Sequence, residues 1–141
     1  MTQTIPPDEA APRDLTLKSI LLLDDDIELA DTLKELLESH NFVVKTVKNG
    51  VEGLREIMDF DYDVIICDLV MPAMAGDMFY VAVQRAKPHL CKRFIFVTGK
   101  RDNPKLNDFI RYVNGVLILK PVPASELIAS ISYVLNQAEK E

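Results

Sequence analysis

Three consecutive acids, Asp24, Asp25 and Asp26, follow the apolar run "SILLL", and a fourth, Asp68, follows "YDVIIC". Thr98 closes "RFIFV" and Lys120 closes "GVLIL". If these runs are neighbouring strands pointing the same way, their polar ends meet at one edge of a sheet. Two carboxylates about 4–5 Å apart then repel by roughly 4 kcal/mol at an effective dielectric near 20. With Lys120 the one cation at that edge, the pocket attracts positive charge, and oxygen ligands that retain waters suit Mg2+, which usually works between carboxylates and a phosphate. With the charge neutralised, Asp68 can act as a nucleophile toward phosphorus, as in aspartyl-phosphate chemistry. Lys120 and the Thr98 hydroxyl are suited to hold phosphoryl oxygens, one by charge and one by hydrogen bond.

Each residue also has an ordinary reading. Asp26 stands where a helix N-cap or first-turn acid belongs, since caps favour Asp and the helix dipole favours an anion. Asp24 or Asp25 alone could do the same, but the pair could not both cap. Asp68 before "LVMP" could be a turn acid, and Lys120 before Pro121 a loop lysine. Their coincidence at one edge argues for a site.

The elements that must position these groups are legible as an alternation. Apolar runs at 19–24, 42–47, 62–68, 93–98 and 115–120 read as strands, four of them nearly continuous Val, Ile, Leu and Phe, as strands covered on both faces are. Between them, Leu29, Ala30, Leu33, Leu36 and Leu37 recur at helical spacing, as do Val51, Leu54, Ile57 and Met58. A third helix spans about 75–86, stopped by Pro88, and a short fourth carries Leu106, Phe109, Ile110 and Val113 on one face. A fifth, 123–138, opens at Pro123 and turns Leu127, Ile128, Ile131, Val134 and Leu135 inward. Five βα units imply an α/β domain with a doubly wound parallel sheet and helices on both faces, with ligands outside the carboxyl ends of the strands.

Composition bounds the function. The 141 residues suit one domain, and 48% hydrophobic with 27% charged residues is a globular balance. A net charge of −6 argues against direct nucleic-acid binding, which needs clustered Lys and Arg. No apolar run approaches the roughly 20 residues that span a bilayer, and no basic-then-apolar signal opens the chain, so a cytoplasmic protein without membrane insertion is the expectation. Cys67 and Cys91 match no zinc spacing and read as reduced, structural thiols. His40 and His89 read as surface residues. Residues 1–17, with three prolines and no period, read as a flexible leader, residues 18–138 as the domain and 139–141 as a tail.

The motifs "LLLDDD", "IICDLVMPAMAG", "FVTG" and "LILKP", in this order and spacing, make the chain from about Lys18 to Gln137 resemble a response-regulator receiver domain of two-component signalling. The resemblance implies a flavodoxin-like sheet of order 2-1-3-4-5 with five helices. It implies that Asp68 is the phospho-acceptor and that Asp24 and Asp25 are the acidic pair holding Mg2+. Asp25, Asp68 and the Val70 backbone carbonyl would bind the metal directly and Asp24 through water. Thr98 matches the switch hydroxyl and Lys120 the family lysine, followed in the family by a cis peptide to Pro121. The implied partners are a histidine kinase or histidine phosphotransfer protein and a downstream protein or linked output domain, since no output segment follows Glu141 in this sequence. The face of helix four, strand five and helix five is expected to carry the change, and helix four with strand five offers a candidate homodimer face.

Several positions depart from the family pattern. Leu117 stands where the family has a Tyr or Phe that turns inward on activation. Ala75 replaces a frequent Asp, Val122 a frequent Phe, and Lys100 follows Thr98 by two residues, which with Val70 bears on the phosphoryl lifetime. A phosphatase of the haloacid-dehalogenase type would need an acid at position 70, and a flavin binder would need Ser, Thr and Gly where this chain has acids. The remaining rival is a pseudo-receiver, the same fold serving as a phosphorylation-independent binding module.

Overall fold

The computed structural model describes residues 17–99 and 103–139. Residues 1–16 of the expected leader, residues 140–141 and Lys100 lie outside the described residues. Five strands, β1 (Ser19–Leu23), β2 (Val43–Val47), β3 (Val64–Asp68), β4 (Phe94–Thr98) and β5 (Val116–Leu119), form one parallel sheet of order β2-β1-β3-β4-β5. The α-helices are α1 (Ile27–Ser39), α2 (Gly50–Asp59), α3 (Gly76–Ala86), α4 (Pro104–Val113) and α5 (Ala124–Glu139). This is the expected flavodoxin-like fold, with one addition. Pro88 does not merely stop α3 but starts a 3-10 turn, Pro88–Arg93, which leads into β4.

Strand alternation divides the core in two. Leu21, Leu23, Ile65, Cys67, Phe94 and Phe96 face Ile57 of α2, Phe79 and Val83 of α3 and Leu106 of α4. Ile20, Leu22, Val64, Ile66, Ile95 and Ile118 face Ala30 and Leu33 of α1 and Leu127 and Ile131 of α5. Full burial of such side chains stabilises by about 1.5–3 kcal/mol each, and it fixes the register, because a one-residue slip would turn every strand inside out.

Local signals start the helices. Asp26 caps α1, its carboxylate accepting from Leu29 N at 3.1 Å, and Asn103 caps α4 ahead of Pro104. α2 departs from its sequence reading. Val51 and Met58 are exposed, while Gly50, Gly53 and Ile57 are buried. The helix is rotated so that its small residues meet Met74, Leu23 and Phe79, a contact for which an apolar-periodicity reading has no signal. Glu139, expected in a tail, ends α5 and pairs with Lys18 at 3.9 Å.

Candidate functional site

The site follows from register. Leu23 stands opposite Cys67, so Asp24 and Asp68 come next on adjacent strands; Asp68 stands opposite Val97, beside Thr98; and Thr98 stands opposite Leu119, beside Lys120. The Lys120 amide donates to the Thr98 carbonyl at 2.9 Å and the Asp24 amide to Val47 at 3.1 Å, extending the ladder by one step at this edge. The buried polar or charged side chains among the described residues, tyrosines and cysteine aside, are Asp24, Asp68 and Thr98. Burying carboxylates without partners is costly, so this placement calls for compensation.

Part of it comes from the chain. The Lys120 ammonium donates to Asp68 Oδ2 at 3.0 Å and lies 3.2 Å from Asp24 Oδ2. Asp68 Oδ1 accepts from the Val70 amide at 3.1 Å, and Asp24 Oδ1 from the Asp26 amide at 2.9 Å. Burial still raises the Asp68 pKa above its usual value, helped by the Asp24 charge and opposed by the Val70 amide and Lys120. Burial alone would lower the Lys120 pKa, but its contacts with Asp68 and Asp24 outweigh that and raise it. One oxygen each from Asp24, Asp25 and Asp68 lie within 4.8 Å of one another, with Asp25 exposed at the rim. Three carboxylates and one ammonium sum to −2, the charge a divalent cation balances, and an all-oxygen donor set fits a hard cation such as Mg2+.

The structure thus brings together Asp24, Asp25, Asp68 and Lys120. Val70 is joined through its amide, and Thr98 sits buried on the neighbouring strand. By alternation Thr98 shares the face of Phe94 and Phe96, whereas Asp24, Asp68 and Lys120 continue the series of Leu22, Ile66 and Ile118. The Lys120–Pro121 peptide is cis, as the family resemblance implies. Leu117 is half-buried against the cluster that includes Phe96 and Leu106.

One positioning residue and one backbone feature escaped the sequence reading. A Cβ on Gly76 would lie 2.5 Å from the Asp68 carbonyl oxygen, so α3 can approach the acceptor only with glycine here; its place in "PAMAG" was the available signal. Ala73 holds φ 68°, which no residue type announces. His40 and His89 are exposed as expected, with His89 3.5 Å from Asp61. Cys67 is buried and Cys91 half-buried, both unpaired to any disulfide.

A doubly wound sheet in this order, with an acid cluster and a lysine at its carboxyl edge, defines a flavodoxin-like α/β domain with a charged crevice. The chain belongs to the response regulator receiver domain family, whose model matches residues 20–132. It is 28% identical over 121 residues to the response regulator ArlR of Staphylococcus aureus, covering 86% of this chain and 54% of that protein. The chain therefore spans about half the length of the curated relatives it matches. Among solved structures, a CheY-like receiver domain protein from Methanospirillum hungatei aligns with TM-score 0.81 at 28% identity, covering 89% of this chain and 98% of that one. A receiver domain protein from Clostridium thermocellum aligns with TM-score 0.76 at 29% identity, covering 87% and 98%. Among the described residues, no helix is long and apolar enough to cross a membrane.

Proposed function

We propose that this receiver domain accepts a phosphoryl group on Asp68 from a phosphohistidine of a histidine kinase or histidine phosphotransfer protein, in the cytoplasm. The observation that carries the reading is the burial of Asp24 and Asp68 at one sheet edge with Lys120 as their shared cation. An Asp68 carboxylate oxygen attacks phosphorus, the phosphorus–nitrogen bond breaks, and the imidazole leaves with the bonding pair. Hydrolysis later returns the carboxylate and inorganic phosphate. Asp25, Asp68 and the Val70 carbonyl would hold Mg2+ directly and Asp24 through water. When bound, the metal neutralises the phosphoryl oxygens and the carboxylates that otherwise repel them.

The chain's own groups do the rest. Lys120, held between Asp24 and Asp68, supplies a positive charge to a phosphoryl oxygen, and the Thr98 hydroxyl supplies a hydrogen bond. Aspartyl phosphate adds charge and acceptor oxygens and draws these two groups toward the acceptor. Thr98, on the same strand face as Phe96, carries the shift toward α4, β5 and α5, the face read as meeting a downstream partner, a linked output domain or a second copy. We take residues 18–138 as the functional unit.

The test is incubation with Mg2+ and acetyl phosphate, read by intact mass. Gain of one phosphoryl group by the wild type and none by Asp68→Asn supports the reading; no adduct on a folded wild type with active donor refutes it. Leu117, without a ring at the usual switch position, favours a second reading as a phosphorylation-independent binding module, and that negative result would select it.

A further inference from the structure

A cavity lies at the opposite end of the sheet from the carboxylates. Its origin is a mismatch in strand starts. Ile65 of β3 pairs with Phe94, but β5 begins one step later, with Val116 opposite Ile95. Phe94 therefore faces Gly115, which has no side chain to fill the gap. A Cβ there would stand 2.9 Å from the Phe96 ring, so the position is held small. The result is a cavity of about 450 Å³ between the amino ends of β4 and β5, the 3-10 turn, the end of α4 and α5, within the range of small-molecule sites at roughly 300–1,000 Å³.

The lining has a definite chemistry. Phe94 and Phe96 stack with centroids 5.3 Å apart, and Tyr80 meets Phe94 edge-on at 5.0 Å. Tyr133, 55% exposed on α5, also lines the cavity. The polar groups are Lys92, Asn114, Gln137, the Cys91 thiol and the Tyr80 hydroxyl. Tyr80 is only 8% exposed and its hydroxyl is paired with Cys91, a weak sulfur partner. In a chain of 22 acids and 16 Lys or Arg, no acid and one lysine line this cavity among the described residues.

We propose that this cavity is a binding site for a small planar aromatic molecule carrying a single anionic group such as a carboxylate. The ring lies against the exposed Tyr133 at the mouth, above the buried pair of Phe94 and Phe96, where offset or edge-on aromatic contact is favourable. The anion faces Lys92, with the Asn114 and Gln137 amides as further donors and the Tyr80 hydroxyl on its inner side. Nothing in this site depends on the metal or the acceptor aspartate.

The full 141-residue chain, in chelator so that metal and phosphoryl chemistry are silent, is titrated with 2-naphthoate and with its neutral counterpart 2-naphthamide. Two-dimensional amide spectra and calorimetry report binding. Saturable shifts should centre on Lys92, Asn114, Gly115 and Tyr133, with the acid binding about threefold more tightly, as one exposed charge pair allows. Lys92→Gln should abolish that preference, and Tyr133→Ala should weaken both probes by about fivefold. Failure of the wild type to show saturable shifts, shifts centred elsewhere, or a preference that survives Lys92→Gln overturns the proposal. If either variant misfolds, the wild-type map and its acid-over-amide preference decide.

Discussion

Replacing Asp25 by Asn should make the metal-free protein more stable and, at the same time, far less responsive to magnesium. The oxygens of Asp24, Asp25 and Asp68 lie within 4.8 Å of one another. At that distance two unit charges repel by about 3.5 kcal/mol at an effective dielectric near 20, the setting of buried Asp24 and Asp68, and by about 0.9 kcal/mol in water, the setting of Asp25. Two such partners, offset by Lys120 and discounted for screening, leave a relief of roughly 1 kcal/mol in the variant. That corresponds to a rise of roughly 4 °C in Tm for a domain of this size. Magnesium should reverse the order. At about 100 times its dissociation constant it adds about 2.7 kcal/mol to the wild type, and to a variant bound about 100-fold more weakly only about 0.4 kcal/mol. Urea unfolding of both proteins in chelator and in excess Mg2+, with exposed Asp59→Asn as control, checks this. Equal stability in chelator, or an equal magnesium increment in both proteins, would refute the electrostatic account and the metal assignment together.

Lys120→Met leaves Asp24 and Asp68 without their cation and should destabilise the metal-free protein by about 3 kcal/mol, with part of the loss restored by Mg2+ in the same urea titration. Ala73→Gly should stabilise by about 0.5–1 kcal/mol, since φ 68° favours glycine; thermal unfolding reads this. Burial, then the Cys91 contact, pushes the Tyr80 hydroxyl up to about 12. Its folded pKa lies above the unfolded value near 10, so the associated stability is full below about pH 10 and is lost as pH rises toward 12. Denaturation across that window should be visibly shallower for Tyr80→Phe.

Strands were legible where both faces are covered. β3 and β4 read as unbroken apolar runs because helices lie above and below them, and even the edge strand β2, with Val43 and Lys45 exposed, kept enough Val to be found. Asp26 was legible because capping is local chemistry. α2 was legible as a helix but not in its rotation, since glycines carry no hydropathy signal and the packing of Gly53 on Leu23 exists only in three dimensions. Asp24, Asp25, Asp68 and Lys120 could be grouped in advance because each stands directly beyond a strand end, where parallel pairing leaves little freedom. The backbone of Ala73 and the gap opposite Phe94 could not, because neither is a property of any one residue type.

The three-strand origin of the site bears on the order of events in folding. Asp24 and Asp68 are 44 residues apart in the chain, and Asp68 and Lys120 are 52, so their repulsion and their shared cation exist only once β1, β3 and β5 have come into register. Contacts of such sequence separation carry the entropy of closing long loops and arise late. A cation bound at that edge would therefore have nothing to hold in the early ensemble, and its stabilisation would fall on the unfolding rate rather than the folding rate. With a cation bound, the carboxylate cluster would act as a latch that leaves assembly unguided and lengthens the lifetime of the assembled domain; without one, its repulsion would shorten it.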